Sequence, residues 1–234
     1  MIKAVVFDLD DTLISERQYV ESGFRVVAKY ISESSNIDSQ VIYETMISLF
    51  EKSSKQVFNR LLDYFKLSYK DENIRELINI YRNHKPEISL YEDAKDILEY
   101  LYNKDIKLGI ITDGYKNAQR NKLESLNIYK YFDYIVVTDE LGREYWKPHK
   151  KSYNLVKDYL NLKYEEMMYV GDNEAKDFIT ANELGISTIM IDRGVGVYSN
   201  TREEEKYKAK IQISNLNELK QILENNKMGE CSNG

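Results

Sequence analysis

The 234-residue chain carries a formal net charge of -6, which opposes the basic footprint needed to grip nucleic acid without regard to sequence. Hydrophobic residues make up 42%, enough for a substantial core, yet no apolar run reaches the roughly 18 residues of a membrane span. The single cysteine, Cys231, excludes a disulfide framework and a thiolate metal site; with an acid already at residue 8, where a secretory leader would be apolar, the expected location is cytoplasmic.

Ala4 to Phe7 form an apolar run that reads as a buried strand and stops on three carboxylates, Asp8, Asp10 and Asp11. Between Ser15 and about Tyr91 no strand pattern recurs. Helices are predicted near residues 16–33, 38–51, 53–66 and 72–83, with Asp38 and Asp71 as candidate caps, and Pro86 breaks the pattern. A helix over Glu92 to Asn103 places Ala94, Ile97, Leu98 and Leu101 on one face. Strands at 107–112, 134–138, 167–171 and 187–191, and a weaker one at 210–214, then alternate with helices near 116–126, 150–160 and 175–184.

That alternation predicts an α/β fold, a Rossmann-like parallel sheet with helices on both faces and right-handed crossovers. Residues 1–14 and 86–224 would form this discontinuous core. The all-helical module of residues 15–85 is inserted after the first strand, at the carboxyl edge where open α/β sheets bind ligands, and suits a lid. The small polar residues 225–234 read as a flexible tail.

Asp8 and Asp10 lie two residues apart at the end of an extended segment, so both side chains can face one side. Their repulsion calls for a cation, and hard oxygen ligands suit Mg²⁺. In "YVGDNEAKDF", Gly171 permits a tight exit from a strand. Asp172 would complete a metal site with Asp8, and Asp177 would ligate the metal or hold a water on it. In "IITDGYKNAQR", the Thr112 hydroxyl with backbone N–H groups around Asp113 and Gly114 would hold a phosphate oxygen at a helix start. Lys147, before Pro148, would neutralise the acids or bind phosphate. The plain alternatives are helix-capping acids, an ordinary turn and a solvated lysine. All four segments fall at carboxyl ends of predicted strands, an address that surface accidents would not share.

These motifs resemble those of the haloacid dehalogenase superfamily of phosphohydrolases. Asp8-Leu9-Asp10-Asp11-Thr12 matches its Asp-x-Asp-x-Thr motif, Thr112 its second motif, Lys147-Pro148 its third, and Gly171-Asp172 with Asp177 its fourth, in the family's order. The helical insert is similar to the family's first type of helical cap. The resemblance implies that Asp8 attacks phosphorus to form an aspartyl-phosphate, and that Asp10 protonates the departing alcohol and later takes a proton from water. It implies Mg²⁺ on Asp8, the Asp10 backbone carbonyl and Asp172 with Asp177 nearby, and phosphoryl oxygens held by Thr112 and Lys147. One departure is Asp113, where the family often has Asn.

The expected activity is therefore Mg²⁺-dependent hydrolysis of a small phosphomonoester. A phosphomutase of the β-phosphoglucomutase type would keep every core residue, whereas a non-catalytic partner protein would be expected to lose some of them. Arg17 and Tyr19, with Glu16, begin the insert and are candidates for selecting the substrate; Arg120, with Gln119, is a candidate on the helix after the second motif. The expected partner is a small phosphorylated metabolite, with neither nucleic acid nor membrane, and the chain is expected to be a monomer or a homodimer.

Overall fold

The structure, a computed structural model, describes residues 1–194 and 204–231. It divides into two compact units: Met1–Glu16 together with Ser89–Gly234, and Arg17–Ile88.

The first unit is built on a sheet whose six described strands are all parallel: β1 (Ala4–Phe7), β2 (Lys107–Thr112), β3 (Tyr134–Val137), β4 (Met167–Gly171), β5 (Ser187–Ile191) and β6 (Ile211–Ile213), in the order β3-β2-β1-β4-β5-β6. Every residue of β1 and β4 is buried, the signature of strands covered on both faces, which is why they read as unbroken apolar runs. On one face Ala4, Val6, Met167 and Tyr169 join Tyr153, Val156 and Ala181 in a buried cluster.

β1 is central. It pairs with β2 through Phe7 opposite Ile110 and with β4 through Phe7 opposite Val170. The strand order reverses between β1 and β4, the switch point where such sheets open a crevice. The ladder extends one residue further, because the Asp8 N–H donates to the Val170 carbonyl at 2.8 Å.

The second unit is helical. It contains nearly all of α1 (Glu16–Ser34), then α2 (Ser39–Lys52), α3 (Val57–Tyr64) and α4 (Asp71–Asn83). Val20, Phe24, Val27, Ile42, Met46, Leu61 and Leu77 form its core. Asp38 caps α2 as expected, accepting from the Gln40 and Val41 N–H groups. Asp71 does not cap α4: it is the first helical residue, and Lys70 stands before it with its N–H bonded to Asn73 Oδ1.

The remaining helices belong to the sheet unit: α5 (Glu92–Asn103), α6 (Lys116–Leu126), α7 (Lys151–Leu160), α8 (Ile179–Glu183) and α9 (Leu219–Cys231). α6 and α7 each end on an asparagine in the left-handed region, Asn127 and Asn161, a conformation that asparagine tolerates. Two elements differ from expectation. α8 begins at Ile179 instead of 175, because the preceding residues wrap around the buried Asp177 carboxylate. The expected tail from Asn225 is helical as far as Cys231, and residues 232–234 lie outside the described part. Among the described residues no helix is long and apolar enough to cross a membrane.

Candidate active site

Asp8 sits where β1 ends, and its side chain meets a buried ammonium. Lys147 Nζ donates to Asp8 Oδ1 at 2.5 Å, to Asp177 Oδ1 at 2.7 Å and to the Tyr169 hydroxyl at 3.0 Å. Asp8 is 1% exposed and Asp177 fully buried. Burial works against the charge on Lys147, but Asp177 and Asp8 outweigh it and hold the ammonium well above the ordinary lysine value. Burial likewise opposes the Asp177 carboxylate, yet Lys147 and Lys176 keep it below the usual range.

Asp177 is held by its own loop. Its Oδ2 accepts from the Asn173 N–H at 2.9 Å, and its N–H and that of Lys176 donate to the Asn173 carbonyl. Gly171 makes room for it: a Cβ there would lie 2.6 Å from Asp177 Oδ2. The glycine at the end of β4 is thus required by a carboxylate rather than by a positive φ.

Asp8, Asp172 and Asp177 each offer one carboxylate oxygen, all within 4.8 Å of one another. Burial, opposed by Lys147 and reinforced by Asp177, pushes the Asp8 carboxyl up to about 6. Burial together with Asp177 and Asp8 pushes Asp172 up to about 9. Asp8 Oδ2 is buried with no hydrogen-bond partner. A cluster of hard oxygens, two of whose carboxyl groups are pushed up chiefly by burial, and which contains an unsatisfied carboxylate oxygen, fits a small divalent cation.

Asp10 has partners of its own. The strand stops at Phe7, and Asp11, the residue after Asp10, adopts a positive φ of 54°. The Asp10 carboxylate is taken by α6: Lys122 Nζ lies 2.6 Å from Oδ1 and Gln119 Nε2 is 2.8 Å from Oδ2. Gln119 Nε2 also reaches Thr112 Oγ1 at 2.5 Å and the Asp113 carbonyl at 2.8 Å. Glu16 is beside this group: burial and the Asp10 charge push its carboxyl up to about 7 against the pull of Lys122.

Thr112 is fully buried at the end of β2. Gly114 follows with a φ of +132°, a left-handed turn that suits glycine. The Asp113 carboxylate turns away from any anion, accepting from Thr138 Oγ1 at 2.7 Å and from the Lys147 N–H at 3.1 Å. It ties the β2, β3 and Lys147 loops together; the expectation of a phosphate site here rests on the backbone N–H groups around Asp113 and Gly114, not on this carboxylate.

The three specificity candidates each have partners within their own unit. Arg120 points off the Gln119 face of α6 and forms a two-pronged pair with Glu140 at 2.8 Å. In the helical unit, Arg17 pairs with Glu21 and Glu51. Tyr19 is 4% exposed, with its hydroxyl 3.3 Å from the Tyr81 carbonyl. Sequence reasoning passed over Lys122 and Tyr169. Lys122 lies three residues after Gln119, the spacing that puts two side chains on one helix face.

The family model for haloacid dehalogenase-like hydrolases matches residues 5–191. The chain belongs to this family. It is 32% identical over 230 residues to a glyceraldehyde 3-phosphate phosphatase of Methanocaldococcus jannaschii, covering 96% of this chain and 98% of that one. A ribulose-1,5-bisphosphate 5-phosphatase of Halopiger xanaduensis is 26% identical, over 82% of this chain and 85% of the relative. Among solved structures, a haloacid dehalogenase-type phosphatase of Thermococcus onnurineus superposes with a TM-score of 0.62 at 27% identity, covering 95% of this chain and 98% of that one.

Proposed function

We propose that this haloacid dehalogenase-like hydrolase is a Mg²⁺-dependent phosphatase that hydrolyses a small phosphomonoester through an aspartyl-phosphate on Asp8. The observation that carries this reading is the Asp8 carboxylate at the centre of the sheet edge. One of its oxygens lies on the Lys147 ammonium and the other has no partner. A buried carboxylate with one oxygen on an ammonium and the other left for a cation has its charge balanced on both sides, which suits a nucleophile that must approach a phosphate.

An Asp8 oxygen bonds to phosphorus as the ester P–O bond breaks, and the departing alkoxide takes a proton from Asp10. The Asp10 carboxylate then takes a proton from a water whose oxygen attacks the same phosphorus. The Asp8–phosphate bond breaks, phosphate leaves, and both carboxyl groups return to their starting states. Thr112, the Gly114 turn and Lys147 hold phosphoryl oxygens. Asp8 and Asp172, with the Asp10 carbonyl, would hold the Mg²⁺, with Asp177 as a further ligand or as the holder of a metal-bound water, and the ion would supply positive charge to balance the phosphoryl group.

Hydrolysis is preferred to mutase chemistry because the relatives above carry phosphatase names. Two of those names specify phosphates of short sugars, which supports a small sugar phosphate as substrate. The helical unit, inserted directly after the first motif, is read as the family's cap. The test is hydrolysis of p-nitrophenyl phosphate with and without Mg²⁺ by the parent and Asp8→Asn. Metal-dependent turnover lost in the variant supports the reading; equal turnover in both overturns it.

A further inference from the structure

We propose that Lys122 and Gln119 on α6 are positioning residues that aim the Asp10 carboxyl at the leaving-group oxygen, and that they matter in proportion to how badly that group needs a proton. The inference rests on the phosphatase reading above and goes beyond it in assigning roles to two residues outside the four motifs.

Asp10 lies beyond the end of β1 and is not fixed by a sheet ladder. Its backbone enters only an isolated bridge to Ile14, and the next residue turns through a positive φ. Its side-chain direction is therefore set by what its oxygens touch. Lys122 is 3% exposed, which is rare for a lysine unless its charge is paired, and its Nζ grips Oδ1 at 2.6 Å. Gln119 is 1% exposed and grips Oδ2. One side-chain oxygen is thus held by a cation and the other by an amide, from two residues one helical turn apart.

The amide contacts are not symmetric. A primary amide nitrogen carries two hydrogens, while Gln119 Nε2 faces three oxygens within 2.8 Å: Asp10 Oδ2, Thr112 Oγ1 and the Asp113 carbonyl. Gln119 can release Asp10 Oδ2 and keep both hydrogens bonded. Lys122 meanwhile keeps Oδ1 in place. The clamp thereby leaves Oδ2 as the oxygen that exchanges a proton with the leaving group. The same nitrogen links that oxygen to Thr112, so the acid and the phosphate-holding hydroxyl are aligned by one side chain.

The test compares kcat/KM for two substrates. p-Nitrophenyl phosphate expels a phenolate that departs without protonation; a sugar phosphate drawn from a panel expels an alkoxide that needs it. Lys122→Met should lower kcat/KM for the sugar phosphate by about 10²-fold or more, the scale of general-acid catalysis, and for the aryl phosphate by less than about tenfold. Gln119→Leu should give the same pattern more weakly, and Lys122→Arg, which keeps a charged donor, should recover part of the loss. Adding Lys122→Met to Asp10→Asn should cost little further, because residues acting as one unit are not additive. Equal losses on both substrates, or full additivity with Asp10→Asn, would overturn the proposal. Failure of the parent to turn over either substrate with Mg²⁺ would instead overturn the phosphatase reading on which it rests.

Discussion

Replacing Lys147 with methionine removes a cation that touches both Asp8 and Asp177. Methionine fills much of the lysine stem's volume, so the loss is electrostatic rather than steric. Three polar contacts disappear, to Asp8 Oδ1, Asp177 Oδ1 and the Tyr169 hydroxyl, and two carboxylates at 1% and 0% exposure face each other. Breaking a buried pair by removing one partner costs about 3–5 kcal/mol. At roughly 2–4 °C per kcal/mol for a chain of this size, the melting temperature should fall by about 6–20 °C. The loss should be smaller at about pH 5 than at about pH 8, because protonating Asp8 relieves the repulsion. The assay is urea and thermal unfolding followed by circular dichroism in EDTA, with Lys150→Met, at an exposed lysine, as control. kcat/KM with Mg²⁺ should also fall by about 10²–10³-fold. A Lys147→Met protein within about 1 kcal/mol of the parent at both pH values would refute the reasoning.

Four further outcomes are expected. In the metal-free protein, Asp172 and Asp8 keep protons up to about 9 and about 6, whereas the unfolded chain releases them near the ordinary Asp value of about 4. The folded state therefore binds more protons, and stability should fall as pH rises between those limits. Mg²⁺ should raise the melting temperature more at the alkaline end, as thermal scans across pH would show. Gly171→Ala should displace Asp177, lowering stability by about 1–3 kcal/mol and weakening Mg²⁺ binding measured by calorimetry. Asp93 accepts from Arg193 and from the Leu216 N–H, so Asp93→Ala should cost about 1.5–3 kcal/mol in urea unfolding. Arg120→Ala should change stability by no more than about 1 kcal/mol, since its pair with Glu140 is partly exposed, and should leave aryl-phosphate turnover unchanged.

Much of the sheet could be read in the sequence because largely buried parallel strands show as short runs rich in apolar residues: 107–112, 167–171 and 187–191 coincide with β2, β4 and β5. The site motifs were legible for a related reason. Asp8, Thr112 and Gly171 each stand at the end of such a run, and the Lys147 ammonium meets Asp8 and Asp177 as a cation among acids should. The start of α8 was not legible, because nothing local shows that Asp177 would bind Asn173 and the Lys147 ammonium instead of letting a helix begin at 175. The role of the Asp113 carboxylate was not legible either, because its partners, Thr138 and the Lys147 N–H, are 25 and 34 residues away. Lys122 is one of 33 Lys and Arg residues, and only the packing of α6 against the Asp10 loop distinguishes it. Charged side chains on helices have many possible partners, and sequence spacing picks a face without naming what the face meets.

The central claim is a covalent bond from phosphorus to Asp8. The most direct measurement is to quench the protein during turnover of a sugar phosphate with Mg²⁺, reduce the acyl phosphate with borohydride, and locate the reduced residue by peptide mass spectrometry. The account predicts homoserine at position 8, dependent on both substrate and Mg²⁺ and absent from Asp8→Asn. Continued turnover with Asp8 unmodified, or a phosphoryl group trapped at another residue, would contradict it.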